Sequence, residues 1–249
     1  MADWSPLRRE LALWRDEGRD LPLWWRDDDA VSVTPALQQL AALAERLDLP
    51  VHLAVVPKTA EPSLGDTCGA AAHLVPLVHG WAHRNHAPEG EKKAEFGYER
   101  TGLREDAAAG LARMRALFGD TLVEVFVPPW NRIAPGLIPD LAPMGYRGLS
   151  AFTPRKARFA APGLVQINTH LDPIHWRGGG RLVAEETLIA DLVALLRDRR
   201  EGRTDAAEPL GLLTHHLVHD DDIWRFTERC LEELLEGDAR PVDLRAEMP

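Results

Sequence analysis

The chain has 249 residues, with 29 Lys+Arg against 39 Asp+Glu, a formal charge of −10 and 45% hydrophobic residues. This is globular composition; it excludes a disordered or fibrous chain, and its acidic balance argues against a nucleic-acid partner, which needs a basic face to neutralise phosphate. No apolar run approaches the roughly 20 residues needed to span a bilayer. Asp3, Arg8, Arg9, Glu10 and Arg15 also interrupt the N-terminus, unlike the continuous apolar stretch of a signal peptide. A cytoplasmic protein with no membrane partner is expected. Cys68 and Cys230 are the only cysteines and make no disulfide framework.

In chain order, Leu7, Leu11 and Trp14 recur at helical spacing, so residues 1–20 are read as an N-terminal helix packed on the rest. A short apolar run, Leu21 to Trp25, follows. Thr34 then offers an N-cap with Pro35 at the first helical position, ahead of a stripe formed by Leu37, Leu40, Ala41, Ala44 and Leu47. Strand candidates are Val51 to Val56, Leu74 to Val78, Leu122 to Val127, Tyr146 to Ser150, Leu164 to Ile167 and Leu210 to Thr214. Helical patterns between and after them cover Glu105 to Phe118, Pro135 to Pro143, Glu185 to Arg200 and Ile223 to Leu235. Thr59 to Gly69 and Arg155 to Gly163 read as loops, and Gly178 to Gly180 as a flexible turn. Runs buried on both faces and separated by helices predict a parallel sheet. About seven such units fit one α/β domain, a distorted (β/α)7 TIM-like barrel over residues 21–249.

Polar residues follow directly on several apolar runs. Trp24-Trp25-Arg26 leads into Asp27-Asp28-Asp29, Leu77-Val78 into His79-Gly80-Trp81-Ala82-His83, and Val125-Phe126-Val127 into Pro128-Pro129-Trp130-Asn131. Val165-Gln166-Ile167 leads into Asn168-Thr169-His170-Leu171-Asp172, and Leu212-Leu213-Thr214 into His215-His216. In a parallel barrel all strand C-termini open on one face, so these clusters are expected to meet there. Three consecutive carboxylates repel one another, and a divalent cation relieves the repulsion; the bland reading is a solvated acidic turn. His79 and His83 are four apart, which on a helical turn puts both imidazoles on one face within reach of one ion, and His86 extends that face. Two His and one Asp leave coordination positions open, as a catalytic metal site requires. The proline turn can aim a backbone amide at an oxyanion, and His215-His216 offers a general acid.

In order and spacing, the clusters resemble the motifs of the polysaccharide deacetylase family, the carbohydrate esterases sharing the chitooligosaccharide deacetylase homology domain. The family pattern is Asp-Asp, His-(Ser/Thr)-x-x-His, Arg-x-Pro-(Tyr/Trp), Asp-x-x-Asp-Trp and Leu-x-His, and its counterparts here run from residue 28 to 215. The resemblance implies a divalent metal, zinc by default, held by one Asp and two His. It also implies an Asp base toward the attacking water, a His acid, and an acetylated carbohydrate substrate. Carried over, the ligands are His79, His83 and one of the Asp triplet. Two registers are open: Asp28 as base with Asp29 as ligand, favoured by Ala30 at the following small position, or Asp27 as base with Asp28 as ligand. His215 is the expected acid, with His216 as fallback; Trp130 supplies the oxyanion amide and Asn131 a hydrogen bond to substrate.

Two departures stand out. Val127 replaces the family Arg that pairs with the base, and His175 replaces the second Asp of the fourth motif, so one ion pair is expected to be missing as a unit. Trp24, Trp25, Trp81, Trp130 and Trp176 fall beside the motifs, where aromatic faces stack on sugar rings or simply fill the core. A hydrolase of another non-peptide amide, or a metal-holding carbohydrate-binding protein without turnover, would share these features.

Overall fold

Leu7, Leu11 and Trp14 form the buried face of α1 (Ser5–Asp16) in the computed structural model, which describes residues 2–248. The rest of the chain alternates: β1 (Leu21–Ala30), α2 (Pro35–Arg46), β2 (Val51–Val55), α3 (Pro62–Ala70), β3 (Leu74–His79), α4 (Leu103–Phe118), β4 (Val125–Val127), α5 (Ile138–Met144) and β5 (Gly148–Leu149). Then come β6 (Phe159–Ala161), β7 (Leu164–Gln166), β8 (Ile174–His175), β9 (Arg181–Leu182), α6 (Glu185–Arg200), β10 (Leu210–Thr214), α7 (Asp221–Glu236), β11 (Ala239–Pro241) and α8 (Leu244–Glu247). α2 starts as expected, with Pro35 in its first turn and the Thr34 hydroxyl accepting from the Leu37 amide at 3.1 Å.

The main sheet runs β10-β1-β2-β3-β4-β5-β7, all parallel, with β6 antiparallel on its outer edge and β11 beside the start of β1. β2 and β3 are buried along their whole lengths, which explains their unbroken apolar character. A parallel bridge from Leu171 to Leu212, with Leu213 N donating to Leu171 O at 2.8 Å, brings the segment after β7 against β10. The fold is thus a single α/β domain on a mostly parallel sheet, with strand C-termini gathered at one end. Among the described residues, no helix is long and apolar enough to cross a membrane. Cys68 and Cys230 are separate and buried, and burial pushes both thiols up to about 12.

Three expectations are corrected. Residues 62–70 are helix, not loop. Gly65 and Gly69 weaken the pattern, but Leu64 and Cys68 are buried one turn apart, and Gly65 lies so close to α4 that a Cβ there would stand 2.4 Å from Leu117 O. Within the expected loop at 155–163, Phe159–Ala161 pairs as β6 on β7, and the glycine turn at 178–180 closes the β8–β9 hairpin. β1 does not stop at Trp25 but continues through the acidic triplet to Ala30.

Candidate active site

Because the triplet lies inside β1, strand alternation sorts its members. Arg26 and Asp28 share one face. Asp27 turns the other way and is buried between strands, where it accepts from Thr214 Oγ1 at 2.6 Å and from His216 N at 2.9 Å, while His216 Nδ1 lies 2.5 Å from its second oxygen. A regular strand would send Asp29 to Asp27's side. Instead the ladder to β2 shifts register between Asp28 and Ala30, and Asp29 adopts φ 76°. This bulge re-aims Asp29, so two consecutive carboxylates, Asp28 and Asp29, line the same cleft. Asp27, the base of the alternative register, does not line that cleft.

His79 ends β3 and His83 lies beyond a tight turn. The expected helical turn is absent: Gly80 and His83 have φ of 56° and 52°, and the convergence comes from this left-handed backbone. Asp29 Oδ1 lies 3.0 Å from His79 Nε2 and 3.2 Å from His83 Nε2. His86 does not join this set; it is exposed, and its amide donates to Ala94 O. What holds the turn is Glu95, which the sequence reading passed over. Its buried carboxylate accepts from the amides of Trp81, Ala82 and His83 at 3.1, 2.8 and 3.2 Å.

The three donor atoms lie within 4.8 Å of one another and suit a divalent metal. His79 Nδ1 stands 3.0 Å from Val127 O, which only accepts, so Nδ1 carries the proton and the neutral ring aims its Nε2 lone pair at the Asp29 carboxylate. Two lone pairs facing each other need a proton or a cation between them. Burial opposes protonation of His79, yet the Asp28 charge and the Asp29 hydrogen bond raise its pKa above the usual range. Burial likewise favours neutral Asp29, but the His79 hydrogen bond and the charges of His79, His83 and His215 hold its carboxyl well below the ordinary range. The site thus attracts positive charge.

The expectation that the base lacks a guanidinium partner is overturned. Arg26 reaches Asp28 with two nitrogens, Nε to Oδ1 at 2.8 Å and Nη2 to Oδ2 at 3.0 Å, with 0% and 3% of the two side chains exposed. Arg26 also donates to Ser150 Oγ at 2.6 Å and Asn131 Oδ1 at 2.7 Å. The charge missing at Val127 is therefore supplied from β1 itself. The signal was present: a lone Arg in an apolar run, two residues before an Asp, stands on the same strand face. Asn131 is consequently anchored through its oxygen to Arg26, which leaves its NH2 end for the cleft it lines. Trp130 and Asn131 both adopt left-handed φ, 57° and 56°, in the proline turn.

His215 lines the same cavity of about 890 Å³, together with Asp28, Asp29, His79, His83 and Trp130. The fallback acid, His216, is buried against Asp27 and does not line it. Asp172 sits at the cleft wall, held by Trp176 Nε1 at 2.8 Å and Ile174 N at 2.9 Å, and burial raises its pKa. His175 is exposed and stays off the lining. The tryptophans divide. Trp24 and Trp25 are fully buried, bonded through Nε1 to Asn168 O and Thr214 Oγ1. Trp81 packs near Lys58, while Trp130 and the half-exposed Trp176 line the cleft.

No family model matches the sequence, and no curated protein matches it. Solved structures do. A family 4 carbohydrate esterase from Streptomyces lividans in complex with acetate superposes with a TM-score of 0.57 at 13% identity, covering 89% of this chain and 92% of that one. A family 4 acetyl xylan esterase from Clostridium thermocellum in complex with a cobalt ion gives 0.54 at 13% identity, covering 90% and 88%. A wild-type family 4 pseudoenzyme from Bacillus anthracis gives 0.58 at 10% identity, covering 89% and 63%. The chain has the fold of the family 4 carbohydrate esterases.

Proposed function

We propose that the protein is a divergent member of the family 4 carbohydrate esterases, a metal-dependent hydrolase that removes an N- or O-linked acetyl group from a carbohydrate. The observation that carries this is the meeting of Asp28, Asp29, His79, His83 and His215 in one cleft. Asp29, His79 and His83 would hold the metal, with zinc the default for two imidazoles and a carboxylate. When bound, the divalent ion supplies Lewis-acid polarisation of the acetyl carbonyl and of the attacking water. Asp28, oriented by Arg26, takes a proton from that water as its oxygen bonds to the carbonyl carbon. The Trp130 turn presents its backbone toward the developing oxyanion. His215 delivers a proton to the leaving nitrogen or oxygen as the C–N or C–O bond breaks, giving acetate and a free amine or hydroxyl. Trp130 and Trp176 offer ring faces to the sugar.

Asp28 and His215 both face the cleft, which supports turnover over a binding-only role. The test is metal analysis of the purified protein followed by acetate release from acetylated oligosaccharides. Stoichiometric metal and chelator-sensitive acetate release are expected. Activity indifferent to chelation would defeat every metal-hydrolase reading, and bound metal without acetate release would favour another amide or a non-catalytic binder.

A further inference from the structure

Glu95 stands outside the set of ligands, base and acid, yet it determines where one ligand sits. Its carboxylate, 1% exposed, takes the amides of three successive residues, Trp81, Ala82 and His83. Successive amides turned to one side form a concave anion site, and here the chain fills it with its own carboxylate. The fit is close. A Cβ on Gly80 would stand 2.5 Å from Glu95 Oε2 and 2.5 Å from Pro129 Cδ, so only glycine passes between them. Glu95 is itself brought back by the bonds from Ala94 N to Asn85 Oδ1 and from His86 N to Ala94 O.

We propose that Glu95 is a positioning residue for the metal centre. It holds residues 80–83 in the left-handed turn that carries His83 Nε2 to the oxygen of Asp29. This rests on the metal site proposed above. The test is the zinc dissociation constant of the full chain, measured by competition with a chromophoric chelator, for the parent, E95Q and E95D. E95Q turns an NH2 toward amide donors and is expected to weaken zinc about 10–100-fold among folded molecules, the size typical of outer-shell partners, with E95D in between. A merely structural role would lower the melting temperature of the metal-free protein and leave the zinc constant of the folded fraction unchanged. Should E95Q not fold, E95D carries the measurement. Variants within twofold of the parent would overturn the role of Glu95 alone; a parent that takes up no zinc would overturn the metal site with it.

A second observation stands independently. The cleft acids are engaged: Asp28 by Arg26, Asp29 by two imidazoles, Asp172 by the Trp176 and Ile174 N–H groups. Lys92 and Arg132 also line the cleft, and neither forms an ion pair among the described residues. Arg132 instead donates to Lys93 O at 2.6 Å, tying the loop that carries Lys92 to the Trp130 turn. Of the four lysines in a chain of charge −10, Lys92 is the one that lines this cleft, with its side chain exposed to an incoming ligand. Resting on the deacetylase reading, the structure assigns an anionic substituent to the substrate, recognised at Lys92. The test uses zinc-loaded D28N protein, so binding is read without turnover. Acetylated xylo-oligosaccharides with and without a glucuronate branch are the probes. The charged probe is expected to bind about tenfold tighter at low salt, with Lys92→Ala removing that advantage and leaving the neutral probe unchanged. Equal binding would overturn the charge preference alone, and binding of neither probe would overturn the carbohydrate reading as well.

Discussion

Arg26 and Asp28 stand two residues apart on one face of β1 and meet through two nitrogen–oxygen contacts in a fully buried pair. Burying an ionised carboxylate is costly unless it is paired and hydrogen-bonded, and Arg26 supplies that partner. The guanidinium pairs with Asp28 and fixes the orientation of its carboxylate.

Arg26→Met is therefore expected to destabilise the folded protein by about 3–5 kcal/mol, because it strands a buried charge. Urea unfolding measures this, and R26M/D28N should recover part of the loss. A double variant as unstable as R26M alone would show that the pair is not the source.

Asp28→Asn should lower kcat by about 10²–10⁴-fold, the range for a positioned base, with metal content unchanged. Loss of the metal in D28N would move the ligand role from Asp29 to Asp28. Asp27→Asn should act on stability instead: it weakens the buried contact with His216, lowers the melting temperature and leaves metal stoichiometry intact.

His215→Asn is expected to cost about 10²–10⁴-fold on an acetamide, whose amine leaves poorly without a proton, and much less on an aryl acetate, whose phenolate leaves unaided. Equal losses on both substrates would argue against proton donation. His216→Asn should show no such leaving-group dependence.

Stability should also fall in acid through His52. This imidazole is fully buried, with Nδ1 3.0 Å from Trp25 O and Nε2 accepting from Leu244 N at 3.0 Å; burial pushes its pKa down to about 4. The unfolded chain, near 6.5, binds the proton more readily, so stability is complete above about 6.5 and drains as pH falls toward 4. The loss is about 3 kcal/mol across that window. His52→Gln should flatten this part of the profile, and an unchanged acid limb would rule His52 out.

Much of this was legible in the sequence because burial on both faces leaves unbroken apolar runs. The runs Val51 to Val56 and Leu74 to Val78 read as strands, and the polar residues that follow Val78 mark the cleft end. Less legible were features set by backbone conformation. The spacing of four after His79 predicts a helical turn because it is the only cue a sequence offers; the left-handed φ of Gly80 and His83 has no signature beyond the glycine itself. Glu95 lies twelve residues past His83 on an irregular loop, and nothing in its neighbours says that it folds back. α3 is hidden in the sequence because Gly65 serves close contact with α4, a tertiary need that overrides propensity. The family pattern places its Arg at position 127, whereas here the guanidinium sits on β1, two residues before Asp28.

The bulge at Asp29 means that the proposed grip on a cation is not written in side chains alone. Transplanting Asp-Asp into a straight strand of another scaffold would aim one acid at the mouth and its neighbour at the helical layer behind. Whoever grafts the motif must carry the kink along with the letters.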